Sequence, residues 1–420
     1  MARKVPSSGI NRFRSVLRLV REHEARHHRP CLDLSMGNPD GVPPPEVLAL
    51  QSRLAGDPRR VLHTYAEDDD LAGFAGRMVE LHTGIRLHEH EHLAVLPIPG
   101  IKTASALLPL ACGLHRSPER LRLVTHVPAY DVVQTWGSAF LSGEHLAWPL
   151  RLEGQMRLDV DELERALSRA GLDRADLVLV IRPGNPAAVG ATRPQWERLI
   201  AHCVARGTRL VNDAAYGGLA DHRHVPLASV AAGHPELEWM ELYSVSKSFS
   251  DPGARLGALV GSRDFVADFE LIKGHTDSGP VPFVMAAYGE YLERPERARA
   301  AMDALRSRYA ERVGYLVDRL TGAGLRSACP TEAGFFTLWR VPRRVLDTDL
   351  ASAASSLGVG VSEAFNRVVA QATGIVGVHF DGVGPEPSPL VRYAVCSDVL
   401  DPAFRERFEA QLPRLQPAYD

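Results

Sequence analysis

The sequence predicts an α/β protein. Its large domain is built on a mostly parallel, mixed sheet flanked by helices, and a smaller α+β domain is formed by the C-terminal part and the N-terminal segment. Three observations carry this expectation. Between residues 93 and 261, short apolar runs alternate with helix-like stretches, the pattern of a largely parallel sheet covered on both faces. A long charged amphipathic stretch, "ERPERARAAMDALRSRYAERVGYLVDRLTGAG", then reads as a helix leading out of that unit. Beyond it lie further apolar runs and a closing helical pattern. The expected divisions are 1–44 for an N-terminal helix and loop that join the smaller domain, 45–285 for the large domain and 286–420 for the C-terminal domain.

In chain order, residues 11 to 26 carry helical spacing, with Phe13, Val16, Leu17 and Val20 on one side. "RHHRP" at 26–30 reads as a solvated helix end, and "CLDLSMGNPDGVPPPEV" as a short strand running into a Gly/Pro-rich loop. "HEHEH" at 88–92 sets alternating histidines on a strand face, which invites a metal reading. No nearby cysteine or further ligand motif accompanies it, and no metal is expected. The sheet strands are "LAVLPIPG", "LRLVTHVPAY", "LVLVIRPGNP", "TRLVNDAAY", "WMELYSVSKS" and "LGALVG". In the C-terminal part "GFFTLWRV", "LGVGVS" and "LVRYAVC" read as strands and "AFRERFEAQL" as a helix.

Apolar residues make up 45% and charged residues 24% of the 420, an ordinary balance for a globular chain long enough to bury a sizeable core. A net charge of −3 offers no basic face for nucleic acid and no polybasic membrane patch. The expected partners are therefore small molecules or a second copy of the chain. The five cysteines (Cys31, Cys112, Cys203, Cys329 and Cys396) are odd in number, widely spaced and without a C-x-x-C pair, which fits a reducing compartment. The N-terminal stretch lacks the apolar core of a secretory signal, and no run approaches the roughly 20 apolar residues of a membrane span. A cytoplasmic location is expected.

Four of the 48 basic residues are lysine: Lys4, Lys102, Lys247 and Lys273. In so arginine-biased a chain, a lysine hints at a place where guanidinium would not serve, because arginine stays protonated and forms no imine near neutrality. Lys247 lies in "SVSKSFSDPGARLGALVG", with Ser244 three residues before it, Arg255 eight after and Gly257 ten after. Arg255 is expected to enter a strand between two glycines, its guanidinium shaped for bidentate phosphate binding. Four other motifs come at predicted strand ends, where open α/β sheets place their ligands. In "PIPGIKTASALL", Gly100 turns into a helix beginning near Ile101 and offers backbone N–H groups to an anion, with Lys102 and Thr103 adding a charge and a hydroxyl. An ordinary strand–helix turn is the alternative. "HVPAYDVV" sets Tyr130 past a strand end, as a stacking face or a core tyrosine. "IRPGNPAAVG" either points the Asn185 amide into the cleft or makes a plain Asn-Pro turn. "VNDAAYGG" brings out Asp213, which is either a desolvated carboxylate in need of a cation or a helix N-cap. Tyr216 follows three residues on.

Together these residues resemble the pyridoxal-phosphate-dependent aminotransferases of fold type I, class I/II, from "LDLSMGNPD" to "LVRYAVC". The resemblance implies pyridoxal 5′-phosphate as cofactor, held by the 45–285 domain. It implies that Lys247 forms an imine with the cofactor aldehyde and later carries the proton between the substrate Cα and the cofactor. Asp213 would pair with the pyridine nitrogen, Tyr216 and Asn185 with the ring's phenolate oxygen, and Tyr130 would stack on the ring. Ser244, Arg255, Lys102 and the turn at Gly100 and Ile101 would hold the phosphate. Arg392, in "SPLVRYAVC", matches the family's arginine for the substrate α-carboxylate, and Gly37 in "SMGNPD" a loop glycine lining the same pocket. Tyr65, in "LHTYAEDDD", matches a tyrosine that reaches the neighbouring subunit's phosphate, which implies a homodimer with shared active sites.

The chain departs from the family pattern in two places. "RPGNPAAVG" stands where "NPxNPTG" is usual, so Ala187 and Ala188 replace Thr-Gly on the substrate side. After Tyr65 the usual glycine and Leu-Arg pair give way to the acidic "AEDDDLAGFAGR". The implied activity is transamination of an α-amino acid, with a keto acid as acceptor. A second reading keeps the cofactor but changes the reaction to β- or γ-elimination, replacement or carbon–carbon bond formation in specialised metabolism, for example on S-adenosylmethionine. A non-enzymatic regulator is the third, disfavoured because the resemblance begins near residue 30 and leaves no room for a DNA-binding module.

Overall fold

Seven strands form the large sheet: β1 (Leu93–Ile98), β2 (Arg122–Val127), β3 (Glu144–Pro149), β4 (Leu177–Ile181), β5 (Arg209–Asp213), β6 (Trp239–Ser244) and β7 (Gly257–Ser262). They lie in the order β1-β7-β6-β5-β4-β2-β3. The structure, a computed structural model, describes residues 12–67, 69–113, 121–381 and 388–419. Strands β2 to β6 pair in parallel, while β7 runs against both of its neighbours. The sheet is thus mixed and mostly parallel, as the alternation of apolar runs predicts. Every residue of β4, β6 and β7 is buried, which a sheet covered by helices on both faces requires. Among the covering helices, Val160–Arg169 turns Val160, Leu163, Ala166 and Leu167 inward. The helix Arg193–Arg206 starts from a capping box of Thr192 and Gln195, which satisfies orphan N–H groups at its first turn.

The helix Pro295–Gly322 leads into the smaller α+β part. There β8 (Phe336–Arg340), β9 (Val378–Phe380) and β10 (Leu390–Ala394) form an antiparallel sheet with β10 in the middle. Its core gathers Tyr309, Phe335, Trp339, Phe365 and Tyr393. The N-terminal segment joins this part: Leu32–Asp33 pairs in parallel with Ile375–Val376, and Leu34 O accepts from Ala394 N at 2.7 Å. Among the described residues, no helix is long and apolar enough to cross a membrane.

Three local expectations are corrected. The first helix, Arg12–His27, buries Val16, Leu19 and His23, whereas Leu17 is 38% exposed. The inward stripe runs i, i+3, i+7 from Val16, which turns Leu17 away; the Phe13 side chain lies outside the described residues. "LGVGVS" is a helix–helix junction and not a strand. Gly358, at φ 63°, caps the helix Leu350–Leu357, and the next helix starts at Val361. "HEHEH" forms no strand face either, since Leu87–Glu89 is a 3-10 turn and β1 starts only at Leu93. Strands β3 and β9 were not anticipated: "EHLAWP" opens with polar residues at the sheet's edge, and "VHF" is three residues long.

Candidate active site

The topology brings five distant motifs to one edge. Strands β1, β2, β4, β5 and β6 all end there, and the reversed β7 begins there. Register places Ile181 beside Asp213 and Asp213 beside Leu242, and it sets both Ser244 and Ile98 against Gly257. A chain leaving β1, β4, β5 or β6, or entering β7, must therefore pass the same cavity. Its volume is about 380 Å³, within the range of small-molecule sites. Ile101, Lys102, Tyr130, Asn185, Asp213, Tyr216, Ser244, Lys247 and Arg255 line it, together with Gly37 and Arg392 from the N- and C-terminal segments.

Lys247 sits in the single turn Val245–Ser248, whose start is capped by Ser244 Oγ accepting from Ser246 N at 3.1 Å. Its Nζ donates to Gly37 O at 2.9 Å. Burial pulls the amine down from 10.5 to about 8; Cys396 opposes this, while the Arg392 and Arg255 guanidiniums add to it. Asp213, the last residue of β5, accepts from Ala215 N at 2.9 Å, and burial holds its carboxyl up at about 6. Among the described residues no cation pairs with it. Tyr216, also shifted upward by burial, packs edge-on against Phe335 and Phe336.

Arg255 and the start of the helix Ile101–Ala111 meet at Gly100. Gly100 has φ 92°, a conformation that strains any other residue, and a Cβ there would meet Arg255 Nη2 at 2.7 Å and push the guanidinium away from the start of the helix Ile101–Ala111. Arg255 does not lie within a strand, as expected from the sequence, but in a left-handed turn (φ 49°) two residues before β7. Lys102 Nζ lies 5.9 Å from the centre of the Tyr130 ring. Thr103 does not line the cavity.

On the opposite side Arg392, in β10 and 1% exposed, donates Nη1 to Asn185 Oδ1 at 2.7 Å and Nη2 to Ser35 O at 2.5 Å. Its guanidinium lies 4.1 Å over the Phe336 ring. The N-terminal loop that supplies Ser35 and Gly37 is held by Asp40, paired with the buried Arg312 at 2.9 Å. Tyr65 stands apart: it is 75% exposed and does not line the cavity. Sequence reasoning missed Met36, Asn38, Ser105, Ser246 and Phe336 in the lining. Of these, Ser246 adjoins the lysine in the motif and was findable, whereas Met36 and Phe336 arrive from distant segments.

These features fit pyridoxal 5′-phosphate. A half-buried carboxylate with no cation among the described residues suits a protonated ring nitrogen, the turn at Gly100 with Arg255 over it suits a phosphate, and an amine near neutrality lines the same cavity. Fold and site together define a pyridoxal-phosphate enzyme of fold type I. Residues 29–397 match the family described as aminotransferase class I and II, and the chain belongs to that family as a pyridoxal-phosphate-dependent aminotransferase. It is similar to an LL-diaminopimelate aminotransferase of Syntrophobacter fumaroxidans, 26% identical over 368 residues and 87% of each chain. Among solved structures it is similar to a probable N-succinyldiaminopimelate aminotransferase from Thermus thermophilus, with TM-score 0.75, 21% identity and coverage of 96% of this chain and 99% of that one. It also resembles an aromatic aminotransferase from Pyrococcus horikoshii, with TM-score 0.73, 18% identity and coverage of 91% and 94%. The elimination and replacement reading finds no support in these relatives.

Proposed function

We propose that the cavity is the catalytic centre and that Asp213, Lys247 and Arg392 divide the work of moving an amino group from an α-amino acid to a 2-oxo acid. The observation that carries this is the presence in one cavity of Asp213, a half-buried carboxyl with no cation paired to it among the described residues, and Lys247, an amine brought down to about 8. Bound between them, pyridoxal 5′-phosphate supplies an aldehyde carbon for the amino group and a ring that draws electrons from the substrate's Cα. Asp213 keeps a proton on the ring nitrogen. Lys247 Nζ would take the proton from the substrate's Cα and deliver it to the cofactor's aldehyde carbon, and a pKa near neutrality suits both the uptake and the delivery. Tyr216 and Asn185 would hydrogen-bond the cofactor's phenolate oxygen, Tyr130 would stack on its ring, and Ser244, Arg255, Lys102 and the Gly100–Ile101 turn would hold its phosphate. Arg392 binds the substrate α-carboxylate, with Gly37 beside it.

We also propose a homodimer with shared sites. Tyr65, Val42, Leu48, Val61 and Val281 are exposed on the N-terminal loops and helices and beside the helix Pro282–Tyr291, a surface suited to a second copy. LL-diaminopimelate is the first donor to test, because the relative matched along most of its length bears that name. The test mixes the holoenzyme with single amino acids and no keto acid. One equivalent of cofactor should convert to its amine form and the reaction should stop; continued turnover without an acceptor would refute transamination.

A further inference from the structure

We infer that Glu332 is a positioning residue for the substrate grip. Through the loop Arg182–Ala191 it sets Asn185, and through Asn185 it sets Arg392. The inference rests on the reading of Arg392 as the group that holds the α-carboxylate.

Glu332 lies in the turn before β8, with its side chain 1% exposed. Its carboxylate accepts from Gly190 N at 3.0 Å and from Arg157 Nη1 at 3.3 Å, and it is bonded also by Arg157 Nη2. Arg223 Nη1 stands 3.5 Å away. The backbone holds the same loop from the other side: Glu332 N and Ala333 N both donate to Ala188 O, at 2.7 and 3.2 Å. Ala187 and Ala188, the pair that departs from the family pattern, are therefore buried and pinned.

The start of the loop is pinned as well. Arg182 N donates to Asn212 Oδ1 at 2.8 Å, and its buried guanidinium donates to Val189 O at 3.3 Å and Met156 O at 2.9 Å. Between these anchors Asn185 is the one loop residue that lines the cavity, and its Oδ1 takes Arg392 Nη1. Arg392 Nη2 is fixed by Ser35 O, so the direction of the guanidinium plane depends on where the loop holds Asn185. A carboxylate binds a pre-set fork more tightly than one that must first be ordered. Glu332 also offsets the charges of Arg157 and Arg223, which meet its carboxylate, but the bond that holds the loop is the one accepted from Gly190 N, which glutamine can keep.

The test compares Glu332→Ala and Glu332→Gln holoenzymes with wild type and Arg392→Lys, measuring KM and kcat for the amino donor, the cofactor absorption band and thermal unfolding. Glutamine retains an acceptor for Gly190 N–H; alanine does not. Glu332→Ala should raise KM ~10-fold or more, the worth of one buried charged hydrogen bond. Its kcat should stay within about 2-fold and its absorption band should be unchanged, the pattern of lost uniform binding; Glu332→Gln should recover much of the KM. A lowered unfolding temperature with unchanged KM in Glu332→Ala overturns the inference. Should that variant fail to fold, Arg157→Met carries the same expectation, and an unchanged KM there is equally fatal. If Arg392→Lys also leaves KM unchanged, the reading of Arg392 falls. If Arg392→Lys raises KM while Glu332→Ala and Arg157→Met do not, only the role of Glu332 is rejected.

Discussion

Replacing Asp213 with asparagine should move stability and activity in opposite directions. In the protein without cofactor, burial holds this carboxyl up at about 6 from 3.8, relieved in part by the Ala215 N–H. The folded state therefore binds the proton more tightly than the unfolded state. Below pH 3.8 both states are protonated and no cost arises; above pH 6 both are ionised and folding carries the full burial cost. The apoprotein thus loses stability as pH rises from 3.8 to 6. A shift of this size, at about 1.4 kcal/mol per pH unit, puts the cost at about 1–3 kcal/mol at pH 7.5. Asparagine keeps the size and the acceptor for Ala215 N but carries no charge. Apo Asp213→Asn should therefore be the more stable protein in urea at pH 7.5, with the gap closing as pH falls toward 4. With cofactor bound the carboxylate has its cation, and the same substitution should lower kcat by ~10²-fold or more. Equal urea midpoints for the two apoproteins at pH 7.5, or a kcat within about 3-fold of wild type, would refute the reasoning.

Lys247 must be unprotonated to capture the cofactor aldehyde, so the rate at which apoprotein reconstitutes should rise with pH and level off above about 8. At pH 7 roughly one amine in ten is then free, against about one in three thousand for an ordinary lysine; a midpoint at pH 10 or above counts against a depressed pKa. Shared sites predict that Tyr65→Ala and Lys247→Ala, each impaired alone, regain activity when unfolded, mixed and refolded together, because a hybrid dimer holds one site with both wild-type residues. A mixture no more active than its parts, or sedimentation as a monomer, rejects that arrangement.

Much of the large sheet was legible because a strand buried on both faces has to be apolar along its length, and "LVLVI" or "WMELYS" has few other uses. Elements governed by other constraints were not. In "LGVGVS" the β-branched residues mark a strand, but Gly358 can take the left-handed conformation that ends a helix, and the neighbouring helices decided the outcome. In the first helix the spacing predicted the element correctly and its buried face by one residue wrongly, because which side of a helix is covered depends on what packs against it. Leu19 and Val16 face the core, and Leu17 does not.

The site shows the same division between local chemistry and assembly. Lys247, Asp213 and Asn185 each stand in a motif with an ordinary structural explanation, and their meaning came from order along the chain. Why they converge is topological. Parallel strands deliver their ends to one edge, and β7, reversed, returns Arg255 to the edge that Gly100 has already reached from β1. The close fit between Gly100 and Arg255 then follows, since a side chain at position 100 would occupy the guanidinium's place. The Arg392–Asn185 bond joins the smaller part to the large sheet, and no short motif contains both residues. Nor does any motif pair Glu332 with Gly190, 142 residues earlier. The departure at Ala187 and Ala188 is explained by that distant carboxylate and its backbone: a loop pinned by Glu332 from outside can place Asn185 through its anchors, whatever its own small side chains contribute.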